Sequence, residues 1–197
     1  RVMIVITNPF SIENEFQIIQ QLFEEGLELL HIRKPTYSEM EMRHFLSNID
    51  EVFYSKIVLH NHHKLVEEFE INRIHFSAKE RTNPARFQKP SKYLFSTSIH
   101  TIEEFNQLST EWEYAFLSPV FQSISKPGYK SDLNLLESIN VRTNFKTKLV
   151  ALGGINENNI QIALDSGFDS VALLGSIWLN DNPIQKFIQC QKIVHSY

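Results

Sequence analysis

Arg33, two residues after His31, stands at the end of a short apolar run, and with an extended chain of period two the pair shares a face. Both side chains are costly to bury unpaired, so they are expected to line a wet or anion-bearing site, unless a structural carboxylate holds the arginine. Ser123, Ser125 and Lys126 precede a Pro-Gly turn at 127–128. Hydroxyl donors alternating with an ammonium suit closure over an anion, although surface loops carry the same residues. Further on, Leu149–Leu152 runs into Gly153-Gly154, and Val171–Leu174 runs into Gly175-Ser176. Glycine lets backbone N–H groups approach and turn toward a ligand; a tight turn alone would also use it.

Other polar residues recur where apolar runs stop: Asn61, His62 and His63, then His75 and Ser77, then Ser96, Ser98 and His100, then Ser118. Each alone reads as a cap or a backbone partner. The histidines at 60, 62, 63 and 75 raise a metal reading, but no carboxylate sits beside them at a recognised ligand spacing. Hydrogen-bonded or surface histidines are the default expectation.

Something must bring these groups together. Residues 2–7 are β-branched and continuous, as strands buried on both faces are. Residues 14–25 show helical spacing of Phe16, Ile19 and Phe23, with Gly26 placed to end the helix. The alternation continues, with strands over 27–33, 56–61, 73–77, 93–98, 114–118, 148–152 and 170–174. Helices are expected over 38–49, 64–69, 101–108, 133–139, 158–166 and 183–195. Ser38 and Glu41 are spaced for a capping box. Residues 78–91 read as irregular, and a long loop runs through 122–131. Eight β-then-α units imply a parallel sheet and suggest a closed α/β TIM (β/α)₈ barrel, one domain over residues 1–197. An open doubly wound sheet is disfavoured, because Thr7-Asn8-Pro9-Phe10 after the first strand is no dinucleotide fingerprint. In a barrel, functional groups gather at the carboxyl ends of the strands, and the loops after strands seven and eight often bind phosphate.

Bulk properties narrow the class. At 197 residues, 42% of them hydrophobic, the chain supports one sizeable core and is short for such a barrel, so helices and loops must be brief. A net charge of -4 without a basic stripe argues against nucleic acid as partner. The lone Cys190 excludes an internal disulfide and reads as apolar filler. No stretch reads as a signal peptide or a membrane span, and a cytoplasmic location is expected.

In this order the pieces resemble the thiamine phosphate synthase/TenI family. The resemblance rests on His-Ile-Arg at 31–33, Leu-His-Asn at 59–61, Ser98-Ile99-His100 with Glu103-Glu104, Ser118-Pro119-Val120-Phe121, the Ser123/Ser125/Lys126 loop, and the glycine turns at 151–155 and 171–177. It implies a transferase of thiamine biosynthesis that couples a hydroxymethylpyrimidine pyrophosphate to a thiazole phosphate, releasing pyrophosphate. Its partners would be those phosphorylated small molecules, and a homodimer is expected. By resemblance, Arg33 and Asn61 hold pyrophosphate, Lys126 neutralises leaving-group charge, and Ser98 lies near pyrimidine or pyrophosphate. Ser123 and Ser125 contact thiazole phosphate or pyrophosphate. Backbone at Gly153, Gly154, Leu174 and Gly175 cradles the thiazole phosphate.

The chain departs from the family pattern at informative places. Synthases usually carry Gln-x-Arg-x-Lys after strand two; here it is His31-x-Arg33-x-Pro35, one cation fewer. The Asn-Asp pair whose Asp binds Mg²⁺ is Asn61-His62, and imidazole is a poor ligand for so hard an ion. Glu80 is the candidate replacement carboxylate for Mg²⁺. The TenI branch, a thiazole tautomerase, often has His-Ile-Arg at this strand. Its acid/base histidine after strand six, however, is replaced by Pro119. His31 is the candidate substitute for that proton transfer. A phosphate-binding regulator without turnover is the third reading.

Overall fold

The computed structural model describes residues 1–83, 86, 92–121 and 134–197. Eight parallel strands close into a barrel in sequence order: β1 (Met3–Ile6), β2 (Leu29–Ile32), β3 (Ile57–Leu59), β4 (Arg73–Phe76), β5 (Leu94–Ile99), β6 (Trp112–Leu117), β7 (Lys148–Ala151) and β8 (Ser170–Leu173). Pairing of β1 with β8, Ile4 opposite Ala172, completes the ring. The crossovers are α1 (Glu15–Glu24), α2 (Glu39–Ser47), α3 (Leu65–Glu68), α4 (Ala78–Arg81), α5 (Ile102–Asn106), α6 (Leu135–Ser138), α7 (Ile160–Ser166), α8 (Gly175–Trp178) and α9 (Pro183–His195). The expected economy is real: several crossovers are single helical turns.

Local signals account for most boundaries. Gly26, at φ 97°, follows α1, and Ser38 with Glu41 forms the expected capping box on α2. Besides 3-10 turns at Glu51–Lys56 and Ile139–Val141, two elements differ from expectation. Residues 78–81 form a helical turn, because Ser77 and Glu80 make a second capping box. After β8 the chain turns straight into α8, where Trp178 Nε1 donates to the Ile6 carbonyl at 2.7 Å. The tryptophan thereby ties the β8 loop to the end of β1.

Alternation along each strand sorts side chains into two cores. Val5, Leu30, Ile32, Leu59 and Leu149 face the helices, whereas Ile4, Ile6, Leu29, Val58, Phe116, Val150 and Ala172 fill the barrel. The interior is chemically lopsided. Towards β7, β8 and β1 it is aliphatic. Towards β2 through β6 it holds His31, His60, His75, Ser96 and Tyr114, joined by hydrogen bonds. His31 Nδ1 lies 2.8 Å from His60 Nε2, and His31 Nε2 lies 2.6 Å from the Tyr114 hydroxyl. The His75 ring lies between the Ser96 and Ser98 hydroxyls, at 2.8 and 2.9 Å. Burial pushes His31 and His60 well below the ordinary 6.5, and His75 down to about 3, so all three rings are neutral.

A second buried polar contact braces the rim. Lys34, fully enclosed, donates to Glu15 at 2.7 Å and to the Phe10 carbonyl at 3.1 Å. The end of β2 is thus pinned to the loop after β1 and to the first turn of α1. Replacing Glu15 by Ala leaves a buried ammonium unpaired and is expected to cost about 3–5 kcal/mol in urea unfolding. The double variant Glu15→Ala/Lys34→Met recovers most of that loss.

The histidine cluster sets a pH dependence. Below 6.5 the unfolded chain binds protons at these imidazoles that the folded chain refuses. Stability present above that pH is therefore lost as pH falls toward the depressed folded values, with a slope of about 1.4 kcal/mol per pH unit for each imidazole. Melting temperatures recorded from pH 7 down to 4 should fall, and His75→Gln should flatten the profile.

Candidate functional site

At the carboxyl ends of the strands the barrel opens into a cavity of about 930 Å³. Its floor is Ile6, Phe116 and Ala172, the uppermost inward side chains. One wall comes from the ends of β2 to β5: Arg33, His60, Asn61, His75, Glu80 and Ser98. The opposite wall is backbone from the loops after β7 and β8: Gly153, Gly154, Leu174 and Gly175. Eight positions singled out from sequence for phosphate, pyrophosphate or metal binding therefore face one space.

The cationic wall is positioned by main-chain contacts. Thr7 Oγ1 receives the Arg33 N–H at 2.8 Å and donates to the Arg33 carbonyl at 3.2 Å, locking β1 to β2 just below the rim. The Arg33 side chain itself is exposed and meets no carboxylate in an ion pair among the described residues. Its guanidinium is free to take an anion with two parallel N–H donors. Lys34 does not restore the cation missing at Pro35, because it points into the wall toward Glu15. Asn61 Nδ2 donates to the Lys34 carbonyl at 3.1 Å, while its Oδ1 is buried with no partner among the described residues. An amide oxygen left bare beside a cavity is suited to a cation or a donor group, and only the second N–H of Asn61 is left for a phosphate oxygen.

The backbone wall is equally specific. Gly153 has φ 104°, and a Cβ there would lie 2.8 Å from the Pro119 Cα. Any side chain would push the β7 loop off the β6 loop, which run together through Val120 N–H to the Leu152 carbonyl, 2.9 Å, and Phe121 N–H to the Gly153 carbonyl, 3.0 Å. The Asn159 amide holds the Gly154 carbonyl at 2.8 Å. Beside Gly175, the Ser176 hydroxyl is buried and has no partner among the described residues. A phosphate seated on these turns would meet N–H groups at no side-chain cost.

Several sequence expectations are revised. His31 does not line the cavity: its side chain is fully buried, and it reaches the space only through the half-buried His60. Period two does place it inward with Arg33, but His31 sits one layer deeper. His62, at φ 53°, turns its ring away to the Tyr37 carbonyl at 2.7 Å. His63 contacts the carbonyls of His60 and His75, at 2.9 and 3.1 Å, bracing β3 against β4. Glu80 does face the cavity, with Oε1 accepting the Ser77 N–H at 2.9 Å as helix cap. Ser98 lines the cavity with its hydroxyl on His75. Ser123, Ser125 and Lys126 lie outside the described residues. Tyr114, first residue of the strand expected over 114–118, was not among the site candidates; the signal available was that a buried phenol needs a partner.

The comparisons agree with this geometry. The family profile described as thiamine monophosphate synthase matches residues 3–177. A thiamine-phosphate synthase of Caldicellulosiruptor saccharolyticus is 22% identical over 191 residues, 93% of this chain and 86% of that protein. One from Oceanobacillus iheyensis is 26% identical and covers 75% of this chain and 73% of its own. Among solved structures, thiamine phosphate pyrophosphorylase from Bacteroides thetaiotaomicron superposes with a TM-score of 0.78 at 32% identity, covering 99% of this chain and 98% of that one. The enzyme of the same name from Pyrococcus furiosus, TM-score 0.77 at 16% identity, shares the fold. With eight closed parallel strands and a family match running from β1 into α8, the chain belongs to the thiamine monophosphate synthase family.

Proposed function

We propose that the protein joins a hydroxymethylpyrimidine pyrophosphate to a thiazole phosphate, giving thiamine phosphate and pyrophosphate. The observation that carries this reading is the pairing of walls in one cavity. Arg33, Asn61 and Ser98 face the glycine turns at Gly153, Gly154 and Gly175, as two phosphorylated partners require. The carbon–oxygen bond to pyrophosphate breaks with its electron pair leaving on oxygen, and the thiazole nitrogen supplies the pair for the new carbon–nitrogen bond. Little proton chemistry is needed. The protein's task is to hold the two partners in line and to stabilise charge on the leaving oxygen. Arg33 takes the pyrophosphate in bidentate fashion and Lys126 neutralises the charge that develops. Ser123 and Ser125 close over the phosphates, and Ser98, held by His75, orients the pyrimidine end.

Mg²⁺ fits the donor set at its minimum. Glu80 is the one carboxylate among the described cavity residues, and Asn61, whose Oδ1 has no partner among the described residues, lines the same cavity. This ion commonly binds through one or two carboxylates plus substrate phosphates. Bound there, it would supply neutralising charge to the pyrophosphate. Because the substrates carry multiple charges and do not cross a bilayer unaided, the reading places the enzyme in the cytoplasm. No helix among the described residues is long and apolar enough to cross a membrane.

A second reading rests on the chain Tyr114–His31–His60, which reaches the cavity and can pass a proton by tautomer exchange. It corresponds to a TenI-like isomerase acting without metal.

The test is turnover of both precursors with Mg²⁺, read as thiamine phosphate. Arg33→Ala should lower kcat/KM roughly 100-fold. Lys126→Ala should abolish pyrophosphate release while sparing any tautomerase turnover. Gly153→Ala should raise KM for the thiazole phosphate about tenfold, with less effect on the pyrimidine, as a strained turn of 1–3 kcal/mol predicts. Wild-type protein that binds thiazole phosphate yet forms no product overturns the synthase reading.

A further inference from the structure

The three imidazoles in the barrel have a mutual geometry that goes beyond the single contact by which His75 holds Ser98. His31, His60 and His75 come from three neighbouring strands, and each offers a ring nitrogen within 4.8 Å of the others. His31 and His60 are edge-to-face at 5.0 Å, His31 and His75 at 5.2 Å, and His60 stacks on His75 at 4.2 Å. We propose that these three residues bind one transition-metal dication of the Zn²⁺ type, with the fourth position open to the cavity.

For His31 and His75 the surrounding hydrogen bonds are those such a site needs. A metal-bound imidazole presents a lone pair inward and donates its other N–H to a fixed acceptor. With His31 ligating through Nδ1, its Nε2–H donates to the Tyr114 hydroxyl, 2.6 Å away. His75 has a serine hydroxyl at each ring nitrogen, so either can take an N–H while the other yields to metal. Burial keeps the rings neutral, the form that ligates. In a tetrahedral site with bonds near 2.0–2.1 Å, donor nitrogens lie about 3.3 Å apart. His31 Nδ1 and His60 Nε2, now 2.8 Å apart, move slightly outward, and the wider pairs close in by ring rotation. His60, half-buried on the cavity side, has the space for it.

The donor set selects the ion. Three imidazoles without a carboxylate suit zinc or cobalt and not the hard, oxygen-seeking Mg²⁺. Such a set leaves the dication's charge uncompensated in the cavity wall. Arg33 and Arg73 oppose that charge electrostatically, whereas a water, hydroxide or phosphate oxygen in the fourth position offsets it.

Chelator-treated full-length protein is titrated with Co²⁺ and, in competition with a chromophoric chelator, with Zn²⁺. No substrate is present, so the outcome is independent of the synthase reading. One equivalent should bind, with the intense visible bands of four-coordinate Co²⁺. His60→Gln and His75→Gln should each weaken binding by roughly 100-fold or more, and Tyr114→Phe about tenfold. Far-UV circular dichroism checks folding, and if His75→Gln fails to fold, the cavity-side His60→Gln decides. Wild-type protein that takes up no stoichiometric metal overturns the proposal. So does a one-equivalent site that survives folded His60→Gln unchanged.

Discussion

Closure of the parallel ring is the constraint on which everything else rests. Strands of three to six residues expose unpaired backbone on both edges unless the last meets the first. Pairing of Met3, Ile4 and Val5 with Val171, Ala172 and Leu173 removes both edges at once. Because all strands run one way, closure also gathers every strand end at a single rim. Arg33, Asn61 and Ser98 are far apart in sequence from Gly153 and Gly175, yet they share a cavity for this reason alone.

Within the ring, the division of the interior explains how a small barrel combines stability with chemistry. The aliphatic half, Ile4, Ile6, Val150 and Ala172, supplies apolar packing below the phosphate turns. The polar half is affordable only because its members satisfy one another: Tyr114 with His31, His31 with His60, His75 with two serines. Desolvation keeps these rings uncharged, so the polar half adds no buried ion to the barrel. Among the described cavity residues the arginine or lysine is Arg33, at the rim, where water or an anion can meet it.

The departures from the family pattern are coherent when seen in place. His31 occupies the position where synthases usually have Gln, and its ring reaches down into a network with His60, His75 and Tyr114. Pro35 removes a cation from the rim, while Lys34 serves the wall through Glu15. His62 replaces a carboxylate and turns its ring to the Tyr37 carbonyl. Oxygen donors have been thinned at the rim and nitrogen donors concentrated beneath it.

Much of this was legible in the amino-acid order. Short apolar runs alternating with helical spacing announced the barrel, since buried parallel strands need apolar residues on both faces. Gly153-Gly154 after β7 and Gly175 after β8 announced close backbone turns at the rim, because such approach excludes a Cβ, as Gly153 against Pro119 shows. Capping at Ser38 was readable from spacing; the same signature at Ser77 and Glu80 was present but read as irregular chain. What the sequence by itself could not determine was depth and direction. Period two assigns a side chain to the inside of a barrel and says nothing of its layer, so His31 and His60, or Tyr114 and Ser98, acquire their relation only when neighbouring strands set their register. Whether Lys34 serves substrate or wall, and whether His62 faces cavity or loop, depends on contacts across 19 and 25 positions of chain. Such contacts exist only once the ring has closed.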